Sequence, residues 1–306
     1  MEFLIPAILT IITAATPLLY AALGELITEK SGVLNLGVEG MILLGAVSGF
    51  AVVNFTGSAT LAIFAGLLGG AALSMIFAIL VLGFQASQVA TGLALTIFGI
   101  GLSALLGQSL VGIAYDGLPT LAIPLLSKIP IVGPLLFNHD ILVYGSFAMV
   151  FIVFLFLTRT RAGLILRAVG DSHDAAHAMG YPVNRIRFLA ILSGGALAGL
   201  AGAYLSLAYS PLWIENMSAG RGWIALALVV FATWRPWRVF IGAYLFGGIT
   251  ILQLHAQALG VGIPSQVMSM LPYLATIVVL VLISRDRNKI KLNAPACIGK
   301  PFHPTS

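Results

Sequence analysis

Nine stretches of this chain run for roughly 20 residues each with almost no charged side chain, the length a helix needs to cross a bilayer. They fall at about 4–23, 34–53, 59–82, 88–106, 140–158, 188–208, 222–233 extended at both ends, 238–258 and 267–284. Hydrophobic residues make up 59% of the chain and charged residues 8%, against about 25% charged in a soluble domain. A soluble fold of this size has no surface to spare for so much apolar side chain. The fold class that follows is an all-α polytopic membrane protein of about nine (8–10) transmembrane helices. One membrane domain covers 1–284 and a short basic tail covers 285–306. The first apolar run lacks a basic segment before it and continues past Leu23, so it reads as a span and not as a cleaved signal. Cys297 is the single cysteine, which excludes a disulfide framework and a cysteine-based metal cluster.

Orientation follows from the basic residues. With the N-terminus outside, the inner loops collect Lys30, Arg159, Arg161, Arg167, Arg185, Arg187, Arg235 and Arg238, and the tail adds Arg285, Arg287, Lys289, Lys291 and Lys300. That is thirteen of fifteen, with Lys128 and Arg221 left outside. The opposite orientation reverses the count, so the N-terminus is expected outside and the C-terminus in the cytoplasm. Topology then accounts for the net charge of +5, and nucleic-acid binding is not required.

Three local patterns refine the spans. The second carries Gly32, Gly37, Gly40, Gly45 and Gly49 together with Asn35 and Glu39, which predicts a broken helix facing protein or a water-filled path. Segment 107–139 contains Pro119, Pro124, Pro130 and Pro134 and is too interrupted to span; it reads as a re-entrant or surface-lying piece, or as a plain loop. Gly195 and Gly199, continued by Gly202 and Ala203, form a small-residue stripe for close helix packing, within one bundle or at a subunit face.

The richest polar segment is the inner loop 159–187. Within it Asp171 can cap a short helix, Asp174 suits its first turn, Gly180 can stop it and Pro182 prevents its resumption. Asp171 to Met179 would be about 13 Å of helix, with a body of Ala175, Ala176 and Ala178. His173 and His177 stand four apart like a zinc-protease pair, but the acid between them is Asp174 and no third ligand lies nearby, so no metal site is expected.

Three stretches carry a resemblance to a known family. They are Gly24-Glu-Leu-Ile-Thr-Glu-Lys-Ser-Gly-Val-Leu-Asn-Leu-Gly-Val-Glu-Gly-Met41, then Arg167-Ala-Val-Gly170 through Ala178-Met-Gly-Tyr-Pro-Val-Asn-Arg-Ile186, and Gly220-Arg-Gly-Trp-Ile-Ala-Leu-Ala227. The chain resembles the permeases of ABC importers for ribose-type sugars, branched-chain amino acids and nucleosides, and looks most like the general nucleoside permeases. It departs from them at Val229-Val-Phe-Ala-Thr-Trp-Arg-Pro-Trp237, where a Gly-rich segment is expected. The resemblance implies a multi-pass subunit of the bacterial inner (plasma) membrane, translocating a small polar solute and catalysing nothing itself. It also implies an ABC ATPase, a second permease of identical or similar sequence, and an extracytoplasmic solute-binding protein.

No phosphate-cradling Gly-x-x-x-x-Gly-Lys-Ser/Thr occurs, so no cofactor is expected in this chain and ATP with Mg belongs to the partner ATPase. The loop helix, Asp171, Ser172, His173, Asp174, Ala175, Ala176, His177, Ala178, Met179 and Gly180, is the expected coupling element to that ATPase. Asn35, Glu39, Gln88, Thr91 and Asn216 are the expected solute path, neutral but for Glu39, which suits an uncharged solute such as a nucleoside or, alternatively, a sugar. Branched-chain amino acids are the other ABC cargo. An ion-coupled secondary transporter and an intramembrane hydrolase are the remaining readings; the first lacks mid-membrane coupling acids beyond Glu39, and the second lacks a nucleophile–base pair.

Overall fold

Long helices make up most of the computed structural model, which describes residues 4–124, 127, 129, 132–258, 264–271, 274–275, 277–278, 281 and 293–303. In chain order they are α1 (Leu4–Lys30), α2 (Val38–Thr56), α3 (Ala59–Ala78), α4 (Gln88–Gly107), α5 (Val132–Leu136), α6 (Ile141–Arg159), α7 (Arg161–Asp171), α8 (His173–Ala178), α9 (Val183–Tyr204), α10 (Arg221–Phe231), α11 (Pro236–Ala258) and α12 (Ser265–Ser269). Strands β1 (Thr120–Ala122) and β2 (Asn138–Asp140) pair antiparallel, Leu121 opposite His139. Among the described residues seven helices, α1, α2, α3, α4, α6, α9 and α11, are long and apolar enough to cross a membrane. This is a polytopic all-α membrane fold with one small two-stranded pairing.

The helix ends follow local chemistry. Ser58 and Ser87 cap α3 and α4 by accepting from the N–H groups of Leu61 and Ala90. Asp140 caps α6 through Leu142 and Val143, and α2 stops at Gly57 with φ 67°.

Two expectations are corrected. The break expected inside the second span lies before it: residues 31–37 are non-helical and α2 itself is continuous. The 222–233 stretch is not a full span. Helix α10 has 11 residues, about 16 Å, roughly half a bilayer. Its extension is blocked by left-handed Ala219 and Gly220 before it and left-handed Thr233 and Trp234 after it. Segment 107–139 does not span: its described residues include a 3₁₀ turn (Gln108–Leu110), β1, α5 and β2, and 111–115 pairs in part with the 211–213 backbone. The expected span at 267–284 lies mostly outside the described residues, apart from its start in α12.

Helix α9 sits at the centre, packed on α1, α2 and α3, and the small-residue stripe makes those contacts inside this bundle. A Cβ on Gly199 would fall 2.2 Å from the Gly66 carbonyl oxygen, and one on Gly202 would fall 1.9 Å from that of Ile42. Both obstacles are backbone and cannot rotate away. Gly199→Val is therefore expected to cost about 3 kcal/mol or more, seen as loss of the monodisperse peak in detergent gel filtration. Gly101→Ala, with nothing within 4 Å of the added carbon, should elute like the parent.

Candidate functional site

Non-helical backbone inside an apolar bundle must find its hydrogen-bond partners within the protein. Between α1 and α2 the donors and acceptors of residues 34–37 are met by side chains. The Leu34 N–H donates to Gln88 Oε1 at 2.8 Å and the Asn35 N–H to Glu25 Oε1 at 3.1 Å. Asn35 Oδ1 accepts from the Gly37 N–H at 2.9 Å, and Thr96 Oγ1 donates to the Leu36 carbonyl at 2.8 Å. All four side chains are buried.

One turn further, Glu39 reaches the start of α10. Its Oε1 accepts from Ser218 Oγ at 2.6 Å and from the Gly220 N–H at 2.7 Å, and its Oε2 accepts from the Gly222 N–H at 2.6 Å. The carboxylate thus caps the positive end of the half-helix. The loop feeding it is strained, with Asn216, Ala219 and Gly220 all left-handed at φ 55°, 47° and 80°. At the other end of α10 Trp234 Nε1 donates to Glu29 Oε2 at 2.5 Å. Two acids that flank the 31–37 stretch, Glu29 at the end of α1 and Glu39 in the first turn of α2, therefore hold α10 at both ends.

Of the expected path residues, Asn35 and Gln88 meet around the 31–37 stretch, and Glu39 joins them to the 216–222 loop. Asn216 is exposed in that loop, and Thr91 is half-buried beside Gly92, which packs on Leu36. Sequence reading did not single out Glu25, Thr96, Ser218 or Gly222 in these roles. The signal for Gly222 was the Gly220-Arg-Gly run, whose bare amides suit a carboxylate.

The inner loop folds as two helices, not one. Asp171 ends α7, and Ser172, extended at φ −153°, caps α8 by accepting from the Ala175 N–H at 3.3 Å. The expected Asp171 cap is thus displaced by one residue, because α7 continues through Asp171 and Ser172 is the first residue with the extended backbone a cap needs. Gly180 does terminate the turn, at φ 85°. Ala176 and His173 are buried, while Met179 is 65% exposed.

The described part of the tail, 293–303, crosses this loop. The Cys297 N–H donates to the Gly170 carbonyl at 2.9 Å, and the Gly299 N–H donates to the Gly32 carbonyl at 3.1 Å. The Phe302 ring lies against both His173 and His177, at centroid distances of 5.3 and 5.4 Å. Fully buried Arg187 ties the parts together, donating to the carbonyls of Ser31 (3.2 Å) and Lys300 (3.3 Å) and facing His173 Nδ1 at 3.4 Å. Burial and that guanidinium hold the His173 imidazole below its usual range, so a neutral Nδ1 accepts. Among the described residues no group of three His, Cys, Asp or Glu side chains is placed to hold a metal ion.

A bundle of apolar helices, a half-helix held by carboxylates and a polar inner loop define a polytopic membrane-spanning protein. Residues 7–283 match the family described as branched-chain amino acid transport system / permease component, and the chain belongs to that family. It is 40% identical to a putative glucose ABC transporter permease protein of Haloferax volcanii, over 95% of each chain. It is 32% identical to a nucleoside ABC transporter permease protein of Lactococcus lactis, over 88% of this chain and 89% of that one. With a guanosine ABC transporter permease protein of Bacillus subtilis the identity is 31%, over 99% and 97%. No solved structure matches. Membership makes this a multi-pass plasma-membrane protein and not an enzyme, and it sets aside the ion-coupled and hydrolase readings.

Proposed function

We propose that this permease carries an uncharged, hydroxyl-rich solute, a nucleoside first. The observation that carries the reading is the fate of the buried acids. Glu25, Glu29 and Glu39 each accept from donors of this same chain. Among the described residues, none of the three is left to balance a charged solute. A sugar is the second reading, favoured by the relative at 40% identity whose name specifies glucose. The complex would comprise this chain, a second permease of identical or similar sequence, the ATPase and an extracytoplasmic binding protein. In proteoliposomes holding all four, ATP-dependent uptake of labelled guanosine should saturate and be displaced by other nucleosides but not by leucine. Uptake of glucose with no uptake of guanosine would transfer the assignment to the sugar.

We assign the solute path to Asn35, Glu39, Gln88, Thr91 and Asn216. Because the oxygens of Asn35 and Glu39 already hold backbone, these two act on the path through the loop and half-helix that they position. The Asn35→Leu, Glu39→Gln double variant should lose most uptake while inserting normally, and normal kinetics would remove both from the site.

The orientation follows the basic residues, N-terminus outside and tail 285–306 in the cytoplasm, with 1–284 as one membrane domain. In a Cys297→Ser background, Thr56→Cys at the α2–α3 turn should react with an impermeant maleimide in intact cells. Labelling only after the cells are broken would invert the topology.

A further inference from the structure

We infer that the inner ends of α1, α6, α7 and α11 form a binding site for the phosphate headgroup of an anionic membrane phospholipid. The inference rests on the inward placement of these ends proposed above. A cavity of ≈ 480 Å³ opens there, and its lining includes Lys30, Arg167, Arg235 and Arg238. Among the described residues no carboxylate lies within ion-pair distance of any of the four. Glu29 offers its Oε2 to Trp234, and Asp171 stands only near enough to Lys30 to act on it through space. Arg167 Nε is buried and has no hydrogen-bond partner among the described residues. Arg167 and Arg235 also stand close enough to Lys30 to repel its charge. Lys30 Nζ donates to the Asn293 carbonyl at 2.6 Å and an Arg238 guanidinium nitrogen to Thr233 Oγ1 at 2.5 Å, both neutral acceptors. The four cations around this cavity, one with a buried and unmet N–H, therefore have no counter-charge within ion-pair distance among the described residues. A phosphate diester completes them, accepting from the guanidinium forks and lying against the ammonium.

The walls choose the source of that phosphate. Phe154 and Leu157 of α6 line one side and Trp237 of α11 lines the rim, 47% exposed and 5.9 Å from the Phe154 ring. Phe151 and Ile152, on the lower half of α6, are 52% and 53% exposed on the outside of the bundle. The basic cavity therefore opens directly onto an apolar helix surface with an indole at the boundary, the arrangement that seats a headgroup while its acyl chains run along the protein. A free phosphate ion has no use for that wall.

The probe is phosphatidylglycerol, titrated into the purified permease in neutral detergent and read by native mass spectrometry and by thermal shift, with phosphatidylcholine of the same chains as reference. Phosphatidylglycerol should bind saturably and raise the melting temperature, and phosphatidylcholine should do neither. The Arg235→Gln, Arg238→Gln double variant should weaken phosphatidylglycerol about thirtyfold, and either single change about fivefold. The single variants keep the test alive if the double one does not fold, since Arg235 is exposed and bonds to no side chain among the described residues. Arg185→Gln, an exposed basic residue outside the cavity, should change nothing. Equal binding of the two lipids, or an equal effect of Arg185→Gln, overturns the site. Displacement of phosphatidylglycerol by millimolar inorganic phosphate overturns the lipid as its source. Variants that shed the ATPase yet keep full phosphatidylglycerol affinity make the cavity a protein contact and also overturn it. None of these readings depends on orientation, which the maleimide experiment tests separately.

Discussion

Ala176→Pro is expected to leave a full-length, inserted permease that no longer retains its ATPase, or no longer stimulates ATP hydrolysis when loaded binding protein arrives. Helix α8 is six residues long, far too short to persist by itself. It is held by the Ser172 cap, by the bond from the Ala176 N–H to the Ser172 carbonyl at 3.0 Å, and by burial of Ala176 with Val169, Val183 and Phe302. Proline at 176 removes that bond and drives its ring toward the preceding turn, a loss of about 3 kcal/mol or more. Nothing else in so small an element can absorb it. The lesion lies in the polar inner loop, so the apolar spans should insert as before. Met179, exposed beside it, would be the side chain offered to an ATPase groove, and Met179→Ala should weaken retention by a smaller factor without unfolding α8. A proline variant that co-purifies with the ATPase and transports at the parent rate would remove the coupling role from this loop.

The spans were legible because hydropathy reports burial in lipid directly, and the seven long helices fall where the apolar runs predict them. The half-helix was less so. Residues 222–233 are as apolar as any span, and what stops α10 at both ends is a set of left-handed residues of which only Gly220 is a glycine; Ala219, Thr233 and Trp234 are not. Propensity does not place such residues there; buried partners do, and Glu29 and Glu39 lie about two hundred positions away in sequence. The same distance hid the tail. Arg187 looked like one more inward cation of the topology rule, yet it is wholly buried and binds the carbonyls of Ser31 and Lys300. Phe302 carries no periodic signal at all, and only the fold brings it against His173 and His177. The error at Asp171 has a different origin: Asp and Ser are near-equal caps, so one residue of register is decided by the helix that precedes it.

Glu39→Gln is expected to lower the melting temperature of the purified permease by roughly 5–10 °C and to abolish most transport. The substitution keeps the shape and removes the charge. One amide oxygen can still serve Ser218 and Gly220, but the amide nitrogen then points its hydrogens at the Gly222 N–H, donor against donor. A hydrogen bond to a charged group contributes about 1.5–3 kcal/mol, and a buried donor left unmet costs about as much again. The positive end of α10 also loses its counter-charge. Because Ala219 and Gly220 are held left-handed by that same carboxylate, the loop has an easy way to relax and α10 a reason to fray. Glu39→Ala, leaving all three donors without a partner, should fail to accumulate. Ser218→Ala alone removes a single bond and should be mild. In the double variant with Glu39→Gln its effect should shrink further, since the two residues share one interaction. A Glu39→Gln protein as stable as the parent, with a Ser218→Ala effect that simply adds, would show that the carboxylate does not hold the half-helix. If that stable protein were also inactive, Glu39 would instead belong among the groups that meet the solute.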